Sequence, residues 1–271
     1  MSLLDTFRTL VERNSRPRGD IDRGGHQRVR LDPAPEVIYA IGDVHGCYGL
    51  LAALQSRIDA DARQFGSAAT IVLGDVIDRG PATAGVIDLL LSSRPAQHPR
   101  HVLLGNHEAL FEQFLARPSA RSDWLGFGGA ETLASYGIPI TGLERLSAAH
   151  LRQLVESHIP VEHRQFIAGL PLTIETSSHF FAHAGIRPGV DLGRQAARDL
   201  LWFRDLVDEP FDSAEKTVVH GHTTVEMPVI LENRIAIDTG AYLTGRLTAV
   251  RIVPGRAPVI ITQSEGEPSA R

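Results

Sequence analysis

Val37-Ile38-Tyr39-Ala40-Ile41-Gly42-Asp43-Val44-His45-Gly46 is an apolar run that stops abruptly at a glycine-framed Asp-x-His. An unbroken apolar run of this length, closed by a glycine, predicts a buried strand. The arrangement recurs twice. Ala69 to Leu73 leads into Gly74-Asp75-Val76-Ile77-Asp78-Arg79-Gly80, and His101 to Leu104 leads into Gly105-Asn106-His107-Glu108. A helix is expected after each cassette. Leu50, Leu54 and Ile58 mark the first. The second runs from Thr83 to Leu91 with Val86, Ile87, Leu90 and Leu91 on its apolar face, and Ala109 to Leu115 begins the third. Strands alternating with helices imply an α/β chain with a largely parallel central sheet. Ligands of such sheets sit beyond the carboxyl ends of the strands, where all three cassettes fall.

Further along, Leu172 to Glu175 and His179 to Ala182 read as strands, the latter ending at His183-Ala184-Gly185. Thr217 to Val219 leads into a fourth cassette, His220-Gly221-His222-Thr223. Val229 to Leu231, Ile235 to Asp238, Leu247 to Val253 and Val259 to Thr262 are expected to form an antiparallel run in a second sheet packed on the first. Residues 117–165 break the strand–helix rhythm and read as a loop-and-helix insertion that shapes the substrate side of the site. Residues 1–35 read as a short amphipathic helix, Leu3 to Val11, followed by a linker. The main domain is expected over 36–263, with a flexible tail over 264–271.

Of 271 residues, 43% are hydrophobic, enough for one large domain with a sizeable core. A formal net charge of -5 leaves no basic footprint for nucleic acid. No apolar run reaches the roughly 20 residues that cross a bilayer, and the first residues lack a secretory pattern. Cys47 is the only cysteine, so no internal disulfide framework exists. A cytoplasmic protein without a membrane partner is expected; the oligomeric state is not legible.

Asp43, His45, Asp75, Asn106 and His222 are oxygen and nitrogen donors beside glycines, a mixture that suits two divalent cations held close together. Asp43 and His45 return to one side of an extended segment. Asp75 is the candidate bridging ligand. It also stands where an Asp often caps a helix, but Asp78 and Arg79 just beyond it favour the metal. Asn106 supplies a neutral carbonyl oxygen. Its neighbour His107 is free to act as a general acid, oriented by Asp78. His183 and His222 each follow an apolar strand and would complete a second cation with imidazoles. His220 belongs to the approach to the loop instead. Arg79 would face a bound phosphate, and Arg204, in Leu200-Leu201-Trp202-Phe203-Arg204-Asp205, is a second fork for phosphoryl oxygens.

Gly-Asp-x-His-Gly, Gly-Asp-x-x-Asp-Arg-Gly and Gly-Asn-His-Glu together resemble the calcineurin-like metallophosphoesterases, and within them the phosphoprotein phosphatase branch that includes bacterial serine/threonine protein phosphatases. The resemblance covers roughly 37–250. It implies an αββα sandwich of two mixed sheets flanked by helices, with a dinuclear metal-bridged hydroxide as nucleophile. It further implies one metal on Asp43, His45 and Asp75, and a second on Asp75, Asn106, His183 and His222. His107, paired with Asp78, would protonate the leaving oxygen, while Arg79, Arg204 and Asn106 would hold the phosphoryl group. Thr224 stands where the wider superfamily carries a last His, as in the phosphatase branch. Leu104 stands where protein phosphatases commonly carry Arg, which implies one phosphate contact missing or supplied elsewhere. Bacterial diadenosine tetraphosphate hydrolases of the branch share the lack of a basic residue there and carry a Leu-Trp-x-Arg segment.

A thiolate-free ligand set favours Mn, with Fe or Zn as alternatives. The expected function is phosphomonoester hydrolysis on a phosphoprotein or a small phosphorylated substrate. Hydrolysis of dinucleotide polyphosphates and a non-catalytic phosphoprotein-binding module are the alternatives.

Overall fold

Val37–Ile41 is buried along its whole length because both of its faces are covered. Ile38 and Ala40 pack into one apolar cluster, and Val37, Tyr39 and Ile41 into another. A strand covered on both faces reads as a continuous apolar run rather than an alternating one. The computed structural model describes residues 26–204, 206–211 and 215–267. The helix expected over Leu3 to Val11 lies outside the described residues.

In chain order the regular elements are β1 (Arg28–Arg30), β2 (Val37–Ile41), α1 (Tyr48–Ala62), β3 (Ala68–Val72), α2 (Thr83–Leu91), β4 (Arg100–Val102) and α3 (Asn106–Ala116). The insertion follows with a π-helical turn at Leu125–Gly129, then α4 (Ala130–Ser135), α5 (Ala148–His158) and α6 (Val161–Ala168). Next come β5 (Thr173–Glu175), β6 (His179–Ala182), α7 (Ala197–Trp202), β7 (Thr217–His220), β8 (Val229–Ile230), β9 (Arg234–Ala236), α8 (Ala241–Thr244), β10 (Arg246–Ile252) and β11 (Val259–Ser264).

Two mixed sheets result, one ordered β11-β10-β2-β3-β4 and the other β1-β5-β6-β7-β9-β8. The three strands that carry the first cassettes, β2, β3 and β4, are parallel neighbours. In the second sheet β6 and β7 are parallel as well. Between the sheets lies an apolar layer of Ile38, Ala40, Ile71, Leu73 and Leu103 against Ile174, Phe181, Val219, Ile235 and Ile237. The larger cluster on the outer faces includes Leu51, Leu54 and Ile58 from α1 and Val86 and Ile87 from α2. The expected sandwich of two mixed sheets flanked by helices is the architecture observed.

Several local expectations need correction. β10 and β11 do not join the second sheet; β10 pairs antiparallel with β2 in the first. The cause is that β10 is apolar on both faces. Val250 and Ile252 enter the layer between the sheets, while Leu247 and Ala249 enter the helix-side cluster. β8 and β9 do pair antiparallel in the second sheet as expected, but β9 lies parallel to its other neighbour, β7. The expected linker contains β1, which pairs parallel with β5. The expected tail begins inside β11, and Glu265 N–H donates to Gly245 O at 2.8 Å, so the chain stays bonded past the strand. No helix among the described residues is long and apolar enough to cross a membrane.

Candidate metal centre and active site

The four cassettes meet at the carboxyl ends of the strands of both sheets. Asp43 and His45 follow β2, and Asp75, Asp78 and Arg79 follow β3. Asn106 and His107 open α3, His183 follows β6 and His222 follows β7. Asp43, His45, Asp75, Asp78, Asn106, His107, His183 and His222 are all buried. Two groups of donor atoms lie within 4.8 Å of one another, His45–Asp75–His107 and Asp75–His183–His222. Asp75 is common to both, and His107, read from the sequence as the acid rather than a ligand, stands in the first. Asp43 belongs to neither group; its two oxygens accept the His222 N–H at 3.2 and 3.1 Å and tie the ends of the two sheets together.

His183 Nδ1 lies 2.9 Å from Leu73 O, and a carbonyl only accepts, so the ring proton sits on Nδ1. Burial pushes His183 down, so the ring is neutral and Nε2 carries a lone pair. That lone pair faces Asn106 Oδ1 at 2.8 Å and Asp75 Oδ2 at 3.4 Å, both acceptors, and His222 Nδ1 at 3.1 Å, while His222 Nε2 is buried with no partner. His45 repeats the pattern, with Nδ1 donating to Ile77 O at 2.9 Å and Nε2 facing Asp75 Oδ2 at 3.6 Å. Burial, with the Arg79 charge, pushes His45 well down. Burial, then His183 and the Arg204 charge, does the same for His222. Buried lone pairs aimed at each other repel unless a cation lies between them. The residues therefore fit divalent metal ions. The charges agree: burial pushes Asp43 and Asp238 up, and Asp238 and Asp75 add to the shift on Asp43.

Backbone strain is confined to the same place. Among the described residues, the non-glycine residues with positive φ are His45 (44°), Asp75 (46°), Asp78 (71°), Arg79 (66°) and His222 (64°). Each such conformation costs on the order of 1–3 kcal/mol and persists where the surroundings over-determine it. Glu108 is a large part of those surroundings. Its buried carboxylate accepts from Asp75 N and Gly105 N at 2.9 Å, and from Val76 N and Ile77 N at 2.9 and 3.2 Å. Burial pushes this carboxyl up, yet all four partners are donors, so the loop holds the carboxylate form. Glycines are obligatory close by: a Cβ on Gly105 would strike Asp75, and one on Gly221 would strike Asp43. Glu108→Gln presents a donor where only donors stand. It should destabilise the metal-free protein by about 1–3 kcal/mol for each buried N–H left unmet, measured by urea denaturation, and weaken Mn²⁺ binding in calorimetry.

The His107–Asp78 pair stands beside the metal ligands. His107 Nδ1 lies 2.7 Å from Asp78 Oδ2. His107 Nε2 accepts from Arg79 Nη2 at 3.1 Å, since a guanidinium only donates. Arg79 also donates to Tyr242 Oη at 2.9 Å and stacks over that ring at 4.7 Å. Arg204 is exposed, and its charge reaches His222. The neighbouring Trp202 ring lies 6.5 Å from His222, its Nε1 buried without a partner.

His220 has both ring nitrogens engaged, donating to Gly221 O at 3.1 Å and accepting from Arg234 Nε at 3.0 Å, so it offers no lone pair to a metal. Burial, aided by Arg234, pushes it down to about 3. Leu104 is 1% exposed within the helix-side core. Residues without a role in the sequence reading also appear. Glu108 stands three residues after Gly105 at a helix start, the spacing of a capping box, and that signal was available. Asp238 closes an apolar Ile-Ala-Ile run and accepts from Gly240 N at 2.8 Å and Thr224 Oγ1 at 2.9 Å. Nothing in the sequence marks Tyr242.

The model of the family described as calcineurin-like phosphoesterase matches residues 37–251. An asymmetrical bis(5'-nucleosyl)-tetraphosphatase, PrpE of Geobacillus thermodenitrificans, is 28% identical over 78% of this chain and 88% of its own. Serine/threonine-protein phosphatase 1 of Salmonella typhimurium is 30% identical over 79% of this chain and 91% of its own. A crystal structure of a putative diadenosine tetraphosphatase superposes with a TM-score of 0.61 at 22% identity, covering 89% of this chain and all of that one, a likeness of fold.

Proposed function

The chain belongs to the calcineurin-like phosphoesterase family, and from that premise we propose that it is a metal-dependent phosphomonoesterase of the serine/threonine-protein-phosphatase type. The observation that carries the proposal is the set of buried acceptors converging on Asp75 beside a built His107–Asp78 couple. Asp43, His45 and Asp75 would hold one divalent cation, and Asp75, Asn106, His183 and His222 the other. Mn²⁺ suits a set of carboxylate, amide and imidazole donors without thiolate. Two such cations supply Lewis acidity and activated water.

The chain's own groups do the rest. Arg79 and Arg204 bind the phosphoryl oxygens, Arg79 turning its Nη2 from His107 to the substrate. Released by Arg79, His107 Nε2 takes up a solvent proton as the substrate binds and then donates it to the leaving oxygen, while Nδ1–H stays on Asp78 and fixes the ring. Burial of the couple excludes water from competing with the leaving group for that proton. The acid couple favours an ester over an anhydride. A departing alkoxide needs a proton, whereas a departing nucleotide polyphosphate carries its charge without one. A non-catalytic binding module would have no use for such a couple.

A second reading, hydrolysis of dinucleotide polyphosphates, is favoured by the Trp202–Arg204 segment beside His222 and by the relatives that bear that activity in their names. Both readings are tested by comparing rates of the Mn²⁺-loaded protein on a phosphothreonine peptide, diadenosine tetraphosphate and p-nitrophenyl phosphate. Faster turnover of the peptide is expected. Preference for diadenosine tetraphosphate would replace the first reading with the second, and inertness toward all three would defeat both.

A further inference from the structure

The insertion over 117–165, expected to shape the substrate side, reaches the acid couple directly. Trp124 Nε1 donates to Asp78 Oδ2 at 2.8 Å, the oxygen that also accepts from His107 at 2.7 Å. Thr132 Oγ1 donates to the other oxygen, Oδ1, at 2.7 Å. Thr132 Oγ1 in turn accepts from Asp78 N at 3.0 Å. Because its one proton is spent on Asp78, the Thr83 hydroxyl 3.1 Å away must be the donor toward it. The Asp78 N–H is shared with Thr83 Oγ1 at 3.2 Å, whereas the Trp124 and Thr132 protons go to Asp78 alone. The donors themselves are locked. Trp124 is 1% exposed, with ring centroids of Phe111 and Phe114 at 5.0 and 4.6 Å, and it lies where a Cβ on Gly129 would strike the indole. Gly128 O accepts from Arg79 N at 3.2 Å, so the same turn also holds the phosphate-facing arginine.

A carboxylate with only one partner swivels about its Cβ–Cγ bond. Asp78 has φ of 71° and no regular element around it, so local backbone does not fix its side chain. Donors on both oxygens do. They also leave Oδ2 with a single direction from which His107 is held.

We propose that Trp124 and Thr132 are positioning residues for proton donation by His107, and that the insertion thereby forms part of the catalytic frame. The proposal rests on the reading of His107 as general acid. The insertion holds Asp78, Asp78 holds the imidazole plane, and the plane aims Nε2 at the leaving oxygen.

The test uses the Mn²⁺-loaded full chain and a series of aryl phosphates whose leaving phenols rise in basicity. Trp124→Phe keeps an aromatic filler and deletes the N–H; Thr132→Val keeps the shape and deletes the O–H. Metal content and melting temperature are read alongside kcat. If the pair positions the acid, each variant loses more rate as the leaving oxygen becomes more basic, by about tenfold across the series, because misaiming a catalytic group by a fraction of an ångström costs on that scale. KM should move less than kcat, and Thr132→Ser, which restores a hydroxyl, should recover the wild-type slope. His107→Asn is the reference and should show the steepest dependence. A uniform loss across the series in Trp124→Phe and Thr132→Val, with His107→Asn steep, would overturn the proposal and leave the acid reading intact. A flat His107→Asn would overturn the acid reading itself. Should Trp124→Phe fail to fold, the Thr132→Val slope decides.

Discussion

Asp75→Asn should lose bound metal and turnover together. Its Oδ2 stands 3.6 Å from His45 Nε2 and 3.4 Å from His183 Nε2, so one oxygen serves both donor groups. Asn preserves the volume, the carbonyl that accepts the His107 N–H at 3.1 Å, and tolerance of the left-handed backbone. What it removes is the negative charge shared between the cations. Metal polarisation is worth several kcal/mol, so turnover should fall by roughly 10³-fold or more. Metal content, measured on the purified variant, should drop below two ions per chain. The metal-free variant should melt no lower than the metal-free parent, since a buried charge facing lone pairs is removed. A variant that kept both metals would show that the two groups do not share Asp75 as a bridge.

His107→Asn should do the opposite to the metals and nearly as much to the rate. Its Nδ1 is committed to Asp78, and its Nε2 faces Arg79. Loss of a general acid lowers turnover by about 10²–10⁴-fold. Both metals should remain, because the six proposed ligands are intact. The comparison of kcat and metal content between Asp75→Asn and His107→Asn separates holding the cations from moving the proton. Normal turnover in His107→Asn would remove the acid assignment.

Much of this geometry was legible in the chain. Three apolar runs each closed by glycine and a ligand-type residue gave β2, β3 and β4, because buried strands and ion-approaching loops have opposite chemical needs. Asp43, Asp75, Asn106, His183 and His222 each sit at the end of such a strand, so strand prediction and ligand prediction support one another. The insertion was harder to read. Trp124 and Thr132 stand 46 and 54 residues from Asp78, and no local period connects an indole to a carboxylate at that distance. β10 was misplaced for a related reason: an apolar strand near the end of the chain matches either sheet until its partner is known.

Residue type and spacing marked the candidate donors, since metal ligation demands particular atoms and glycine-framed loops carry them within a few residues of a strand end. Tautomers, strain and register were beyond that reach. His183 and His45 show Nε2 to the centre only because Leu73 O and Ile77 O, brought in from β3 and its loop, take the other nitrogen. His45, Asp75, Asp78, Arg79 and His222 hold positive φ because contacts distant in sequence, such as the Glu108 carboxylate beneath the Asp75 loop, offset the strain. Short-range chemistry is written along the chain, whereas which lone pair faces which is set when the ends of two sheets close over the same space.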